Sequence, residues 1–460
     1  MYIPENIKFI TDRLEQNGFE AYLVGGCVRD MIMGKEPHDY DITTNALPES
    51  IIKCFSDCRL VLSGLKHGTV AVICGGEAIE VTTYRIDGDY SDSRHPESVK
   101  FTKSIELDLA RRDFTMNAIA CSTGGRLIDV FGGKSDIEKK IIKCVGDPDK
   151  RFGEDALRIM RAARFSSVLG FDIEEKTAAA ADNNAVLLKN ISSERIYSEL
   201  CKMVCGENVL SVLTERKKVI CEIIPEFNCC VDFCQHNIHH CYDVYTHTAH
   251  AVQSCPNDLY LRLAALFHDI GKPQMFFMGE DNQGHFYGHA KKSAEIAEGI
   301  LKRLKAPNDV KENVILLIRL HDRDIVNTPA ALKRLLSQIG ADAADRLFEL
   351  KKADTLAQSD ICRNRIAFLS QAQEHMREIV NKKECFSVKN LEINGRDLIS
   401  CGCPQSKKIR EILNELLALV INGEIENEHE ALALKAKELI KKKKKTIKPT
   451  GRKLHKNEVS

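Results

Sequence analysis

Two aspartates, Asp39 and Asp41, stand one residue apart shortly after a pair of glycines, and their spacing suits the binding of divalent cations. In a strand, both side chains would lie on one face. Carboxylate oxygens are preferred ligands of Mg²⁺, which bridges substrate phosphates. The preceding Gly25 and Gly26 let the backbone turn tightly and aim its amides at phosphate oxygens. The pattern predicts a nucleotidyl-transfer site in which Asp39 and Asp41 hold Mg²⁺.

Short strands mixed with helices would position these residues within the first 145 positions. Strand-like runs are found at Ala21–Val24 and at residues 39–43, 70–73 and 78–83. From Asp149 onward the pattern is helical almost throughout, with an apolar period near 3.6 over residues 154–169 and a helix start at Ser192-Ser193-Glu194. We therefore predict an α/β head followed by a long all-α body.

The composition favours a multidomain globular chain and argues against membrane and disulfide-stapled classes. The chain has 460 residues, of which 43% are hydrophobic, and 66 basic residues balance 66 acidic ones. Its 18 cysteines lack paired Cys-x-x-Cys spacings, so we expect reduced thiols rather than zinc or disulfides. No apolar run reaches the length of a membrane span. We therefore expect a soluble, cytoplasmic protein without a membrane partner.

Positive charge is concentrated at the end of the sequence. A basic tail comprises residues 441–445, Lys448, Arg452, Lys453 and Lys456. Such a cluster can neutralise several phosphates of an RNA, or it can be a solvated terminus. The net charge of zero does not decide between these two interpretations.

Six segments follow the first glycine turn in a fixed order. They are Ile-Thr-Thr-Asn-Ala at 42–46, Lys-His-Gly-Thr-Val at 66–70, Ile-Glu-Val-Thr-Thr-Tyr-Arg at 79–85, Asp-Ser-Arg-His-Pro at 92–96, Arg-Arg-Asp-Phe-Thr-Met-Asn-Ala at 111–118 and Arg-Phe-Gly-Glu-Asp-Ala-Leu-Arg at 151–158. With this order and spacing, the chain resembles the class II bacterial CCA-adding tRNA nucleotidyltransferases of the DNA polymerase β-like superfamily. The resemblance implies a mixed-sheet head and a helical body, with tRNA, CTP and ATP as partners and Mg²⁺ as cofactor.

The resemblance also implies which residues carry the chemistry. From its place in a strand-like segment, Glu80 either adds a third catalytic carboxylate to Asp39 and Asp41, or orients the attacking hydroxyl, or forms a salt bridge with Arg85. Arginine suits the triphosphate because its planar guanidinium bonds two phosphate oxygens at once. The expected nucleotide-binding residues are Gly25, Gly26, Arg29, Asp30, Arg111, Arg112, Asp113, Asn117, Glu154, Asp155, Arg158, Arg161 and Arg164.

Nucleotide choice is expected to depend on Asp155 and Arg158, which lie three residues apart and would share one face of a helix. Their acceptors and donors match the Watson–Crick edges of cytosine and adenine, and in the family such a pair serves as an amino-acid template. The alternative is a structural ion pair. A loop containing Asp92, Arg94, His95 and Pro96 resembles the segment needed for the switch from CTP to ATP.

A second set of residues in the body has the order His247, His268-Asp269 and Asp354. This order is similar to that of the HD superfamily of metal-dependent phosphohydrolases. Imidazole and carboxylate ligands suit a divalent transition metal, and His289 and His321 are available for a second ion or for a substrate phosphate. The alternative is an HD-type helical domain retained for packing alone.

We predict four parts and keep three rival functions open. The parts are a catalytic head (1–145), a helical nucleotide-specificity and RNA-binding region (146–230), an HD-type domain (231–360) and a C-terminal tRNA-binding region with the basic tail (361–460). The leading function is CCA addition or repair. The rivals are an A-adding enzyme, a poly(A) polymerase and an HD phosphohydrolase acting on RNA ends. Against the polymerase, residues 64–69 read Gly-Leu-Lys-His-Gly-Thr rather than a Gly-Arg-Arg-Phe-like segment.

Overall fold

The computed structural model describes residues 3–88 and 99–445, which divide into two compact units, Met1–Arg319 and Leu320–Ser460. The predicted switch loop at 92–96 and the part of the basic tail beyond residue 445 lie outside the described residues. Within the described ranges, no helix is long and apolar enough to cross a membrane. The 18 cysteines are all free thiols.

A seven-stranded mixed sheet forms the head, with the strand order β3-β4-β5-β2-β1-β8-β9. Strands β2 and β5 run parallel, and the other neighbours in this sheet run antiparallel. The strands are β1 (Ala21–Val24), β2 (Asp41–Thr44), β3 (Arg59–Val61), β4 (Thr69–Cys74), β5 (Glu77–Thr83), β6 (Arg85–Asp87), β7 (Val99–Phe101), β8 (Ala120–Cys121), β9 (Leu127–Ile128), β10 (Ile141–Ile142), β11 (Asp172–Ile173), β12 (Phe277–Met278) and β13 (Gly284–His285).

Helices make up most of the rest of the chain. Those of the first unit are α1 (Glu5–Gln16), α2 (Gly26–Ile32), α3 (Pro48–Cys54), α4 (Ile105–Ala110), α5 (Gly133–Glu138), α6 (Pro148–Glu154), α7 (Leu157–Leu169), α8 (Glu175–Asn183), α9 (Ser193–Val204), α10 (Val209–Glu215), α11 (Lys217–Ile223), α12 (Val244–Ser254), α13 (Leu259–Phe267), α14 (Lys272–Met275), α15 (His289–Arg303) and α16 (Asn308–Leu320), which ends at the boundary. The second unit contains α17 (Pro329–Ile339), α18 (Ala341–Leu356), α19 (Asn364–Asn381), α20 (Gly395–Ser400), α21 (Lys408–Ile421) and α22 (His429–Lys445). The predicted α/β head and helical body are confirmed.

Alternation of apolar and polar residues explains how the sheet presents its charged groups. In β5, Ile79 and Val81 are buried while Glu80 between them is exposed, as expected when successive side chains point to opposite faces. The apolar strand β1 is largely buried, and its last residue, Val24, packs in a core with Tyr84 and Leu109. The second unit has a core of its own around α20, α21 and α22.

Two predicted boundaries were wrong, and both errors lie beside the site. The second strand begins at Asp41 and not at Asp39, which lies in a bend, because β1 stops pairing at Val24 opposite Asp41. The helix predicted over 154–169 is interrupted, since Asp155 has an extended backbone between α6 and α7. Its carboxylate accepts a hydrogen bond from the Leu157 amide at 3.1 Å and so helps to start the second helix.

Candidate active site

The glycine turn and Asp41 meet at one edge of the head sheet. Val24 pairs with Asp41 on one side, and Glu80 pairs with Asp41 on the other. Gly25 has a φ of 84°, a left-handed conformation that favours glycine. A Cβ at Gly25 would lie 3.7 Å from Asp41 Oδ2 and 3.2 Å from Arg112 Nη1. The turn therefore holds backbone close to a carboxylate and a guanidinium.

Negative charge is concentrated around Asp41. Desolvation by the surrounding head raises the pKa of the Asp41 carboxyl, and the charges of Glu80 and Asp39 raise it further, while Arg112 lowers it. As whole residues, all three are nonetheless exposed. Arg85 donates instead to the carbonyl of His67, and among the described residues Glu80 forms no ion pair with it. Exposed carboxylates crowded in this way suit a hard, hydrated cation such as Mg²⁺.

The two adjacent arginines have different surroundings. Arg111 is held by the buried carboxylate of Asp108, with Nε 2.9 Å from Oδ1. Arg112 lies 3.7 Å from the other oxygen of Asp108 and faces Asp41, and its buried Nε has no hydrogen-bond partner among the residues described. Arg112 is therefore the better placed of the two to bind a phosphate oxygen.

Asp108 is a site residue that the sequence reasoning missed. It is fully buried, accepts from the Thr43 hydroxyl and the Arg85 amide at 3.2 Å each, and so joins β2 to the two arginines. Its spacing from Arg111 and Arg112, three and four residues, was a readable signal of helical ion pairs.

Five of the predicted nucleotide-binding residues form one hydrogen-bonded chain. Arg29 contacts Asp30 at 2.7 Å and donates to Asn117 at 3.0 Å, and Asn117 donates to Asp113 at 3.2 Å. Asp113 accepts from Arg161 at 2.8 Å. Burial alone would raise the pKa of Asp113, but the charge and hydrogen bond of Arg161 lower it to about 2. This chain ties α2 and the 111–118 segment to α7.

The side chains of Asp155 and Arg158 bond to other residues, while the Arg158 amide donates to the Asp155 carbonyl at 3.0 Å. Arg195, on α9, donates to Asp155 at 3.1 Å. Arg158 donates to Glu154 at 2.8 Å and to the carbonyl of Arg111 at 3.1 Å. The predicted shared helix face is wrong, because Asp155 precedes α7. Both side chains are nonetheless fixed at the junction of α7 with the head.

Two further arginines take part in this junction. Arg151 donates to Glu154 at 2.8 Å, so that one carboxylate holds two guanidinium groups. Arg164, predicted to bind nucleotide, is bonded to the buried Glu199 of α9 and lies against the ring of Phe165. Arg164 therefore stabilises the packing of α7 on α9.

A buried cluster of imidazole and carboxylate groups lies in the same unit. His247 Nε2 and His268 Nε2 are each 3.2 Å from Asp269 Oδ2, and His289 Nε2 is 3.3 Å from Asp269 Oδ1. The Nδ1 atoms of His268 and His289 lie 2.8 and 2.9 Å from the backbone carbonyls of Ala265 and Phe286. These carbonyls favour a proton on Nδ1, and a histidine in that tautomer can bind a metal through the lone pair of Nε2.

Lys272 stands beside this cluster and was not predicted as a site residue. Its ammonium is 2.7 Å from Asp269 Oδ2 and also contacts Gln235 at 2.8 Å and His240 at 3.2 Å. Burial alone would raise the pKa of Asp269, but the adjacent His268 and Lys272 hold it well below its ordinary value. The carboxylate is therefore charged, as a metal ligand must be.

The remaining predicted HD residues, His321 and Asp354, belong to the second unit. Within that unit they line a polar cavity of about 330 Å³ together with Lys351 and Arg365. Gln358 donates to both oxygens of Asp354, at 3.4 and 3.3 Å. Asp354 thus presents a carboxylate to a cavity.

The fold and the acidic sheet edge define a nucleotidyltransferase of the poly(A) polymerase head type. A family described as the poly A polymerase head domain matches residues 21–143. The probable RNA and SrmB-binding site of polymerase A matches residues 170–215, and tRNA nucleotidyltransferase domain 2 matches residues 286–436.

Curated relatives give the family more narrowly. The CCA-adding enzyme of Geobacillus stearothermophilus is 35% identical over 428 residues, 92% of this chain and 94% of that protein. The chain belongs to the CCA-adding enzymes, a family of tRNA nucleotidyltransferases. With the CCA-adding enzyme of Lactobacillus helveticus, identity is 49% over 197 residues, 43% of this chain, and the match spans about half (49%) of that relative.

Solved structures show the same architecture. The Bacillus stearothermophilus CCA-adding enzyme in complex with CTP has a TM-score of 0.71 at 29% identity, over 96% of this chain and 100% of that one. The Thermotoga maritima CCA-adding enzyme complexed with tRNA has a TM-score of 0.56 at 21% identity, over 94% of each chain, and supports the fold alone.

Proposed function

We propose that this chain adds or repairs the 3′-terminal CCA of tRNA without a nucleic-acid template, using CTP and ATP and releasing pyrophosphate. The observation that carries the proposal is the sheet edge where Asp41 lies between the Gly25 turn, Glu80 and Arg112. It occurs in a chain that aligns along nearly the full length of a CCA-adding enzyme.

The reaction joins the tRNA 3′-oxygen to the α-phosphorus of the nucleotide and breaks the bond to pyrophosphate. Asp39 and Asp41 would hold Mg²⁺, whose charge stabilises the attacking and leaving oxygens. The backbone at Gly25 and the guanidinium of Arg112 would bind the triphosphate. Glu80 would add a third carboxylate at the same edge, opposite Asp41 in the sheet. Positioning and charge neutralisation are then the main tasks of the protein.

Nucleotide choice is assigned to the junction between α6 and α7. Arg158 is held by Glu154 and by the Arg111 carbonyl, and Asp155 is held by Arg195, so each side chain has a fixed position. Fixed donors and acceptors can reject a base whose Watson–Crick edge leaves them unpaired. We propose that Asp155 and Arg158 select cytosine and adenine, with the loop at residues 92–96 switching between them.

The parts outside the head are proposed to hold RNA. We propose that the four parts of the chain, which end at residues 145, 230, 360 and 460, differ in function. Residues 361–460, including the basic tail, would contact tRNA through phosphates. A tRNA substrate together with free thiols favours a cytoplasmic enzyme.

Alanine at Asp39 or Asp41 tests the proposed chemistry. Loss of a metal clamp forfeits several kcal/mol of charge stabilisation, so we expect nucleotide addition to fall below about a hundredth of the wild-type rate. The affinity for tRNA should be unchanged within about twofold. Asp12→Ala, at an exposed position of α1, is the control. Either active-site variant retaining a tenth of the wild-type rate would overturn the assignment.

A second candidate function is metal-dependent hydrolysis of a phosphate at an RNA end. It is favoured by the convergence of His247, His268 and His289 on Asp269, with Nε2 directed inward. The imidazole and carboxylate donors fit a divalent transition metal. Such a metal would activate water, while Lys272 would bind the phosphate. A 2′,3′-cyclic phosphate or a 3′-phosphate is the expected substrate, since its removal restores the hydroxyl that the head requires.

Elemental analysis and phosphatase assays with Ni²⁺, Co²⁺ or Mn²⁺ test this second function. Protein purified without chelator should carry metal that the double variant His268→Ala/Asp269→Ala loses, while nucleotide addition survives. His375→Ala, an exposed histidine of α19, should retain the metal. Absence of both bound metal and phosphatase activity would mean that the imidazole cluster has only a structural role.

A further inference from the structure

Three aromatic rings form an exposed patch on the hairpin of β12 and β13. Phe277 lies directly opposite His285 in the hairpin, and Tyr287 is two residues further on, so the three side chains share one face. Their centroids are 5.3 to 5.6 Å apart. Phe277 is 45% exposed and Tyr287 is 72% exposed. We call these three residues the aromatic patch.

The other face of the same segment fixes the patch in place. Phe276 and Phe286 alternate with the patch residues, and their rings contact each other with centroids 5.7 Å apart. Phe276 also packs edge-on against Phe233, and the Gly284 amide donates to the carbonyl of His236 at 2.8 Å. Asp281 holds the ring of His285 at 3.1 Å. The exposed rings therefore belong to an ordered hairpin.

The patch lies close to the imidazole cluster. Tyr287 is two residues before His289, so their Cα atoms are at most about 7 Å apart. The inner residue Phe286 accepts from His289 and lies 5.3 Å from the Lys272 ammonium. Lys291, in the first turn of α15, is exposed and forms no ion pair among the described residues. Tyr287 of the patch and the exposed Lys291 thus each lie two residues from His289 in the sequence, on either side of it.

We propose that the aromatic patch stacks the unpaired base of the terminal nucleotide of an RNA whose 3′-phosphate is directed to the imidazole cluster. The proposal rests on the second candidate function. Every nucleobase has a π-face, so exposed rings bind single-stranded ends without sequence preference. The rings of His285 and Tyr287 are stacked with their planes 18° apart, and Tyr287, which is 72% exposed, has ring surface left for a base. Lys291 supplies charge for the adjoining phosphate, which favours RNA over an apolar peptide.

Fluorescence of a six-nucleotide single-stranded RNA carrying 3′-terminal 2-aminopurine and a 3′-phosphate tests the patch. The chain contains no tryptophan, so protein fluorescence interferes little. Stacking should quench the probe, and Tyr287→Ala or Phe277→Ala should weaken binding roughly tenfold. Tyr287→Phe and Phe9→Ala, an exposed aromatic residue of the head, should bind within twofold of wild type. Alanine variants that bind within twofold of wild type would overturn the proposal.

Crosslinking and a metal-site variant separate this proposal from the function on which it rests. RNA ending in 5-iodouridine should crosslink on irradiation to Phe277, His285 or Tyr287, and crosslinks confined to other segments would contradict the patch. In the His268→Ala/Asp269→Ala variant, the patch should still quench the 2-aminopurine probe, whether or not hydrolysis is found in the wild type. If hydrolysis is found but Tyr287→Ala leaves its KM unchanged, the patch proposal fails while the hydrolase stands.

Discussion

Replacing Asp113 by asparagine separates a structural role of this residue from direct contact with the nucleotide. The structure places Asp113 in a buried ion pair with Arg161, with Oδ2 2.6 Å from Nη2. This pair joins the 111–118 segment to α7. The Asp113→Asn variant keeps the shape of the side chain but removes its charge. We expect the head to lose stability and the packing of α7 against it to loosen.

The expected loss follows from the pKa of Asp113. It is about 2 in the folded chain, against 3.8 for an ordinary aspartate. This gap of about 1.8 corresponds to about 2 kcal/mol at neutral pH. Because the folded pKa is the lower one, the contribution is complete well above pH 4 and disappears as the pH falls toward 2. At pH 3 roughly half of it should remain.

Pulsed hydrogen exchange read by mass spectrometry across a urea series is the appropriate assay. A chain with two compact units need not unfold in one transition. Peptides from residues 105–117 and from α7 report the head on its own. The free energy of unfolding of the wild type should exceed that of Asp113→Asn by about 2 kcal/mol at pH 7, and by about half as much at pH 3.

An exposed ion pair provides the matched control. Asp345 and Arg377 are 38% and 55% exposed, with Oδ1 2.7 Å from Nε, so Asp345→Asn should cost less than about 1 kcal/mol. Unchanged stability in Asp113→Asn, combined with a raised KM for CTP, would refute this reasoning. Such a result would assign Asp113 to direct nucleotide binding, as the sequence had suggested.

Three further outcomes are expected. Asp155→Ala or Arg158→Ala should slow nucleotide addition and should also allow UTP and GTP to be incorporated. If CTP and ATP addition slow equally and no wrong nucleotide is incorporated, the two residues have only a structural role. Replacing residues 94–96 by Gly-Ser-Gly should leave addition of the two C residues intact and impair addition of the final A. Equal loss of C and A addition would contradict this. Asp108→Ala should destabilise the head by about 3 to 5 kcal/mol, because Arg111 and Arg112 both lose their buried carboxylate partner. A loss below about 1 kcal/mol in the same exchange assay would refute that role.

Sequence patterns predicted those features of the candidate site that are formed by residues close together in the chain. The bounds of β1 were predicted correctly, because an apolar run followed by two glycines specifies both a strand and its turn. The glycine turn and Asp41 lie at the ends of two strands that are neighbours in the sequence and in the sheet. These could therefore be read from residues 21–44.

Long-range contacts determine the features that the sequence did not reveal. The break at Asp155 is stabilised by Arg195, 40 residues away, and Arg158 reaches the Arg111 carbonyl, 47 residues away. Asp108 acts through Thr43, which is 65 residues distant. No periodicity within a helix indicates such partners, so tertiary contacts override local patterns here.

The most direct test of the proposed function is the length of the products formed on three tRNAs, ending at the discriminator base, in C and in CC. With CTP alone, we expect two residues to be added to the first tRNA, one to the second and none to the third. With ATP alone, only the third should gain a single A, and both nucleotides together should complete CCA on all three. Addition of A only, whatever nucleotides are supplied, would indicate an A-adding enzyme. Long A tails on every end would indicate a poly(A) polymerase and contradict the account.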